Sequence, residues 1–150
     1  MASGTQIQVA GETGEPLLLV RRLAVAVAAA FVLVGLAGFV PGITTHFGDL
    51  TFAGHESGAR LFGVFQVSIL HNLVHLLFGV VGLAMARTVA GARLFLIGGG
   101  AVYLAFWMYG FAVGHRSAAN FVPFDAADNW LHLGLGLGMM ILGLGSGERR

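Results

Sequence analysis

Two pairs of residues carry most of the chemistry this sequence offers. His71 and His75 stand four apart in SILHNLVHLLFG (68–79), and Asp128 and His132 stand four apart in DAADNWLHLGLG (125–136). Residues i and i+4 share a helix face. If both pairs face one axis, three imidazoles and a carboxylate surround one volume, flanked by Asn72 and Asn129. That donor set suits a transition metal such as zinc, copper or iron. A second reading is b-type haem held by His75 and His132, a redox carrier. A third is an outer-face sensor of metal or pH, with histidine protonation as the switch.

A structural reading stands beside these. Ser68 and Asp125 are good helix N-caps, and Asp128 falls three residues after its cap, where a carboxylate serves the first-turn amides. Asn72 and His75 can hydrogen-bond between helices. Ionisable residues inside a membrane span carry a functional hypothesis by default, yet perturbed clusters are often structural.

These residues sit in an unusually apolar chain. It has 150 residues, 57% hydrophobic and 10% charged, with a mean hydropathy of +0.84. Soluble domains are about a quarter charged. The composition points to an integral membrane protein. The absence of cysteine excludes disulfides, thiolate metal sites and cysteine nucleophiles, and the absence of lysine excludes a lysine Schiff base. No phosphate loop or hydrolase motif is present. Net charge is +1, so no strong nucleic-acid footprint exists.

Spans of roughly 20 apolar residues fall at about 23–40, 68–86, 94–113 and 126–144. Residues 1–20 read as a polar cytoplasmic tail, disordered over 1–15, ahead of a membrane domain at 21–147. Arg21, Arg22, Arg87, Arg93, Arg149 and Arg150 share one side of an up-down-up-down arrangement, and Arg60 and Arg116 share the other. The positive-inside rule then puts both termini in the cytoplasm of a multi-pass cell-membrane protein. It also gathers His46, His55, His71, His75, His115 and His132 in the outer half or the outer loops.

The chain reads as one helical hairpin used twice. At a shift of 57, Ser68, His71, Asn72, His75, Leu76 and Gly79 meet Asp125, Asp128, Asn129, His132, Leu133 and Gly136. The first and third spans both end in Gly-Phe-x-x-Gly, at Gly38 and at Gly110. Two hairpins of equal topology make a parallel repeat. The pairs Gly38–Gly42, Gly110–Gly114 and Gly134–Gly138 read as close helix contacts.

GFVPGITTHFGD, LFGVFQVSILHNLVHLLFGVVGLAMA and AADNWLHLGLGLGMM resemble a family of small actinobacterial-type membrane proteins. That family is known as a domain of unknown function. The resemblance covers about residues 21–145, and its HN-x-x-HL and DN-x-LHL elements are the specific part. It implies a four-helix membrane domain and carries no activity with it.

The reading is therefore an all-α integral membrane four-helix bundle built from two parallel helical-hairpin repeats. The function expected is non-enzymatic: an accessory or assembly element, working with other membrane subunits or as a homo-oligomer. Its outer-half cluster would set the packing or hold a metal.

Overall fold

A computed structural model describes residues 6–113, 119–122 and 124–146, with side chains from residue 17 onward. Four α-helices dominate the described residues: α1 Gln6–Ala37, α2 Ile69–Met85, α3 Val89–Ala112 and α4 Ala126–Gly145. Two are long and apolar enough to cross a membrane, α1 over Leu17–Ala37 and α3 over Val89–Ala112. The packing is pairwise. α1 lies along α2, α3 lies along α4, and α1 against α3 is the broadest contact between the two hairpins.

The sequence reading needs one correction and one addition here. Residues 6–16 are helical and continue α1 upstream of its apolar stretch. A helix already nucleated extends at one hydrogen bond per residue, and polarity alone does not stop it. The described residues are mostly helical, as the all-α reading expects, with one small addition. Between α1 and α2 lie three two-residue strands, β1 Thr44–Thr45, β2 Arg60–Leu61 and β3 Phe65–Gln66, in an antiparallel sheet ordered β1-β2-β3.

That connection has its own small core. Ala59, Leu61 and Val67 are buried, with Val34, Ala37, Leu50 and Phe65 packed against them. It also finishes α2. The first amides of a helix have no partner within it. Here Ile69 N–H donates to Thr51 O at 3.0 Å and Leu70 N–H to Phe52 O at 2.9 Å. His71 N–H goes to the Ser68 hydroxyl at 3.1 Å. The connection is fastened to the second hairpin as well. Gly54 N–H donates to Phe121 O at 2.7 Å, and Arg60 Nη1 lies 3.1 Å from Asp125 Oδ2.

The opposite end is closed by two arginines. Arg21 Nε donates to Ala86 O at 3.1 Å, and Arg93 Nη2 donates to Ser146 O at 2.7 Å. Ala86 and Ser146 are the C-caps of α2 and α4. Each guanidinium satisfies a carbonyl that its helix leaves free and meets the negative end of the helix dipole.

The main core mixes small and aromatic residues: Val20, Ala24, Ala28 and Phe31 from α1, with Ala92, Phe95, Leu96 and Tyr103 from α3. Small residues let the backbones approach. A Cβ on Gly79 would stand 2.7 Å from Ala28 O, and one on Gly136 would stand 3.0 Å from Gly100 O. The glycine spacing misled in part. Gly38 and Gly110 are contact positions, but a Cβ on Gly42, Gly134 or Gly138 would meet nothing within 4 Å. The face of α4 that packs carries Asp128, Asn129, His132, Gly136, Met139 and Gly143; Gly134 and Gly138 lie off it. Gly42 instead serves a turn at φ +95°, and Gly114 lies outside the described residues.

Candidate functional site

All six expected site residues are buried: His71, Asn72 and His75 on α2, and Asp128, Asn129 and His132 on α4. They stand at the sheet end of the bundle, because both helices start there. Each start is held by a side-chain cap. Ser68 Oγ receives His71 N–H. Asp125 Oδ1 receives Asp128 N–H at 3.0 Å while Asp125 N–H donates to Asp128 Oδ2 at 3.3 Å, a reciprocal capping box.

The imidazoles converge. His71 and His75 have ring centroids 4.6 Å apart, and His132 is close enough to interact electrostatically with both. His75 stacks on Phe31 at 5.7 Å and 16°. His132 meets Tyr103 edge-on at 5.3 Å and Phe124 at 4.9 Å. Phe31 and Tyr103 touch each other at 5.2 Å, so the aromatic chain runs His75, Phe31, Tyr103, His132 across the two hairpins. Phe124 is seated by Asn120, whose buried carboxamide accepts Phe124 N–H at 3.0 Å and donates to Phe124 O at 3.2 Å.

The two asparagines are lodged against glycine. A Cβ on Gly38 would overlap the Asn72 carboxamide, and one on Gly110 would overlap that of Asn129. Asn72 Nδ2, Asn129 Oδ1, and Nδ1 of His75 and His132 are buried without a hydrogen-bond partner among the described residues. Such groups are expensive to bury, so this is the most polar and least satisfied volume described.

The geometry does not make a metal centre of it. Among the described residues, no group of three or more His, Asp or Glu is placed to hold a metal ion. The Asp128 carboxylate turns back to the start of its own helix, where Oδ2 accepts Asp125 N–H in the capping box. A bis-histidine haem fits no better. His75 and His132 are wedged among Phe31, Tyr103, Phe106 and Phe124 at centroid distances of 4.9–6.0 Å, and a porphyrin between the imidazoles would have to displace rings from that cluster. Of the remaining histidines, His46 is exposed and His55 half-buried, both in the connection before α2; His115 lies outside the described residues.

Of the central partners, Phe31 escaped the sequence reading, and Tyr103 reads from sequence only as an interfacial or packing aromatic of the third span. The signal was available. They are related by a shift of 72, the same shift that aligns Gly38 with Gly110. The same shift relates Arg21 to Arg93, the two helix-closing arginines.

The class these features define is a small helical protein with two membrane-length helices and a buried polar centre. Residues 21–145 match DUF4383, a domain of unknown function, and the chain belongs to that family. No curated protein and no solved structure matches it.

Proposed function

We propose that this chain is a multi-pass membrane four-helix bundle of two parallel hairpins. Its work is non-enzymatic, as an accessory or assembly element, and its His/Asn/Asp centre sets how the hairpins pack. The observation that carries this reading is the inverted distribution of polarity. The buried set includes three histidines, two asparagines and an aspartate from α2 and α4, while Leu33, Leu77, Leu94 and Ile141 are 65%, 65%, 65% and 68% exposed. Soluble monomers do not present apolar belts of this extent. Lipid is the solvent in which such a surface is stable. The apolar stretches of α1 and α3 agree: only 22% and 33% of their windows are buried, where the core helix of a soluble protein would be mostly covered.

The hairpin repeat is supported by contacts as well as letters. Gly38 against Asn72 is matched by Gly110 against Asn129, and Gly79 against Ala28 by Gly136 against Gly100. His75 against Phe31 is matched by His132 against Tyr103.

The chain has no native cysteine, so single-cysteine labelling tests the topology cleanly. Glu56 and Arg87 are exposed. Glu56→Cys is expected to react with an impermeant maleimide on intact cells, and Arg87→Cys only after permeabilisation. Equal labelling of the two, or recovery of the chain in the soluble fraction, would overturn the reading. Elemental analysis tests the role of the centre. The packing role predicts no stoichiometric zinc, copper or iron; bound metal that disappears in His75→Ala and His132→Ala would replace it with a metal centre.

A further inference from the structure

A groove of about 400 Å³ opens at the end of the bundle away from the sheet, lined by Leu18, Arg21, Arg22, Val25, Ala26 and Ala86. We propose that this groove binds an anionic phospholipid, the phosphate on Arg21 and Arg22 and an acyl chain along Leu18, Val25 and Ala26. This rests on the membrane reading above.

The repeat separates what the bundle needs from what it does not. Arg21 and Arg93 are equivalent, and both close a helix C-terminus. That explains one arginine per hairpin. Arg22 falls outside the explanation. At the shift of 72 its counterpart is Leu94, so the second cation belongs to the first hairpin alone. Arg22 is exposed, and no side-chain partner is found for it among the described residues. Arg21 commits its Nε to Ala86 O, and its two terminal amino groups have no partner among the described residues. Arg87, also exposed, directly follows Ala86 and adds charge at the same end.

Among the described side chains, no carboxylate stands beside these arginines. Every acidic residue with a described side chain (Asp49, Glu56, Asp125 and Asp128) lies at the sheet end. Guanidinium groups match phosphate oxygens in pairs, and basic pockets between helices at a membrane's cytoplasmic face hold lipid head groups. The apolar wall is the part a free anion would not use.

The test is native mass spectrometry of the full chain in non-ionic detergent. It is titrated with phosphatidylglycerol or with phosphatidylcholine of the same acyl chains. Phosphatidylglycerol should be retained in preference. Arg22→Gln should lower its retention about fivefold, the effect of one arginine at a lipid surface. Arg60→Gln, at the far end, should not change it. Arg22 holds no helix cap, so its variant should keep wild-type helicity by circular dichroism. Equal retention of both lipids, or an unaltered Arg22→Gln, overturns the proposal. Displacement by excess inorganic phosphate also overturns it, in favour of a free-anion site. Any of these results from a chain that stays in carbonate-washed membranes removes the lipid site alone. A chain absent from those membranes removes the membrane reading with it.

Discussion

Gly38 and Gly110 do the same thing in the two hairpins. Each leaves room for an asparagine carboxamide that a methyl group would displace. Gly38→Ala and Gly110→Ala should therefore each destabilise the protein by about 1–3 kcal/mol, the range for forcing extra volume into packed sites. Gly134→Ala and Gly138→Ala face open space. They should be neutral or stabilise by up to about 1 kcal/mol, since alanine is the better helix former. Unfolding midpoints in detergent measure all four; equal losses at Gly38 and Gly134 would refute the contact assignment. The asparagines themselves were legible in the sequence, as polar residues in apolar runs at matched positions. Gly38 and Gly110 were legible as helix contacts, but not as the partners of these asparagines. Spacing says which glycines share a face, but it does not say which face of the helix is covered. That is why the Gly134–Gly138 pair looked equivalent to the others and is not.

At the scale of elements, the starts of α2 and α4 were readable and the connection before α2 was not. Ser68 and Asp125 cap the helices they precede because a side-chain oxygen next to an apolar run has orphan amides within reach. Strands of two residues leave no periodic trace, and most of what holds residues 44–67 is backbone pairing and side chains bonded to carbonyls. The candidate metal site finds no support among the described residues at this scale. The i, i+4 rule placed Asp128 beside His132 correctly, but the carboxylate belongs to the helix start. Asp125 carries two duties, the capping box and the ion pair with Arg60, whereas Ser68 carries one. Asp125→Ala should thus cost about 1–2 kcal/mol, against about 1 kcal/mol for Ser68→Ala. Arg60→Ala should cost under about 1 kcal/mol, because its ion pair is partly solvated. Thermal melts of the three variants give the order. A larger loss for Arg60→Ala than for Asp125→Ala would mean that the ion pair, not the cap, holds the start of α4.

For the whole molecule, the question is what joins two hairpins that each look self-sufficient. α1 with α2 and α3 with α4 are close backbone pairs built on glycine and alanine. The joint between them is aromatic. Phe31 and Tyr103 meet at 5.2 Å, each covers the histidine of its own hairpin, and Phe78 lies within 4.9 Å of the first and 5.4 Å of the second. If the two hairpins are repeats as proposed above, equivalent residues that touch each other lie near the axis relating them, and this contact is where the two halves fix their orientation. Under the proposed membrane reading, lipid provides little hydrophobic drive between helices, and the specific geometry of ring contacts then weighs more. Aromatic pairs contribute about 0.5–1.5 kcal/mol beyond the area they cover. A double-mutant cycle on Phe31→Leu and Tyr103→Leu should return a coupling in that range. The same cycle on Phe31→Leu and Ile141→Ala, with Ile141 out on the exposed face of α4, should be additive within about 0.5 kcal/mol. Unfolding in mixed micelles supplies the free energies. Additivity at Phe31 and Tyr103 would shift the orienting role from the rings to Asn72, His75, Asn129 and His132, whose side-chain atoms without a partner among the described residues would then have to find one another across the interface during assembly.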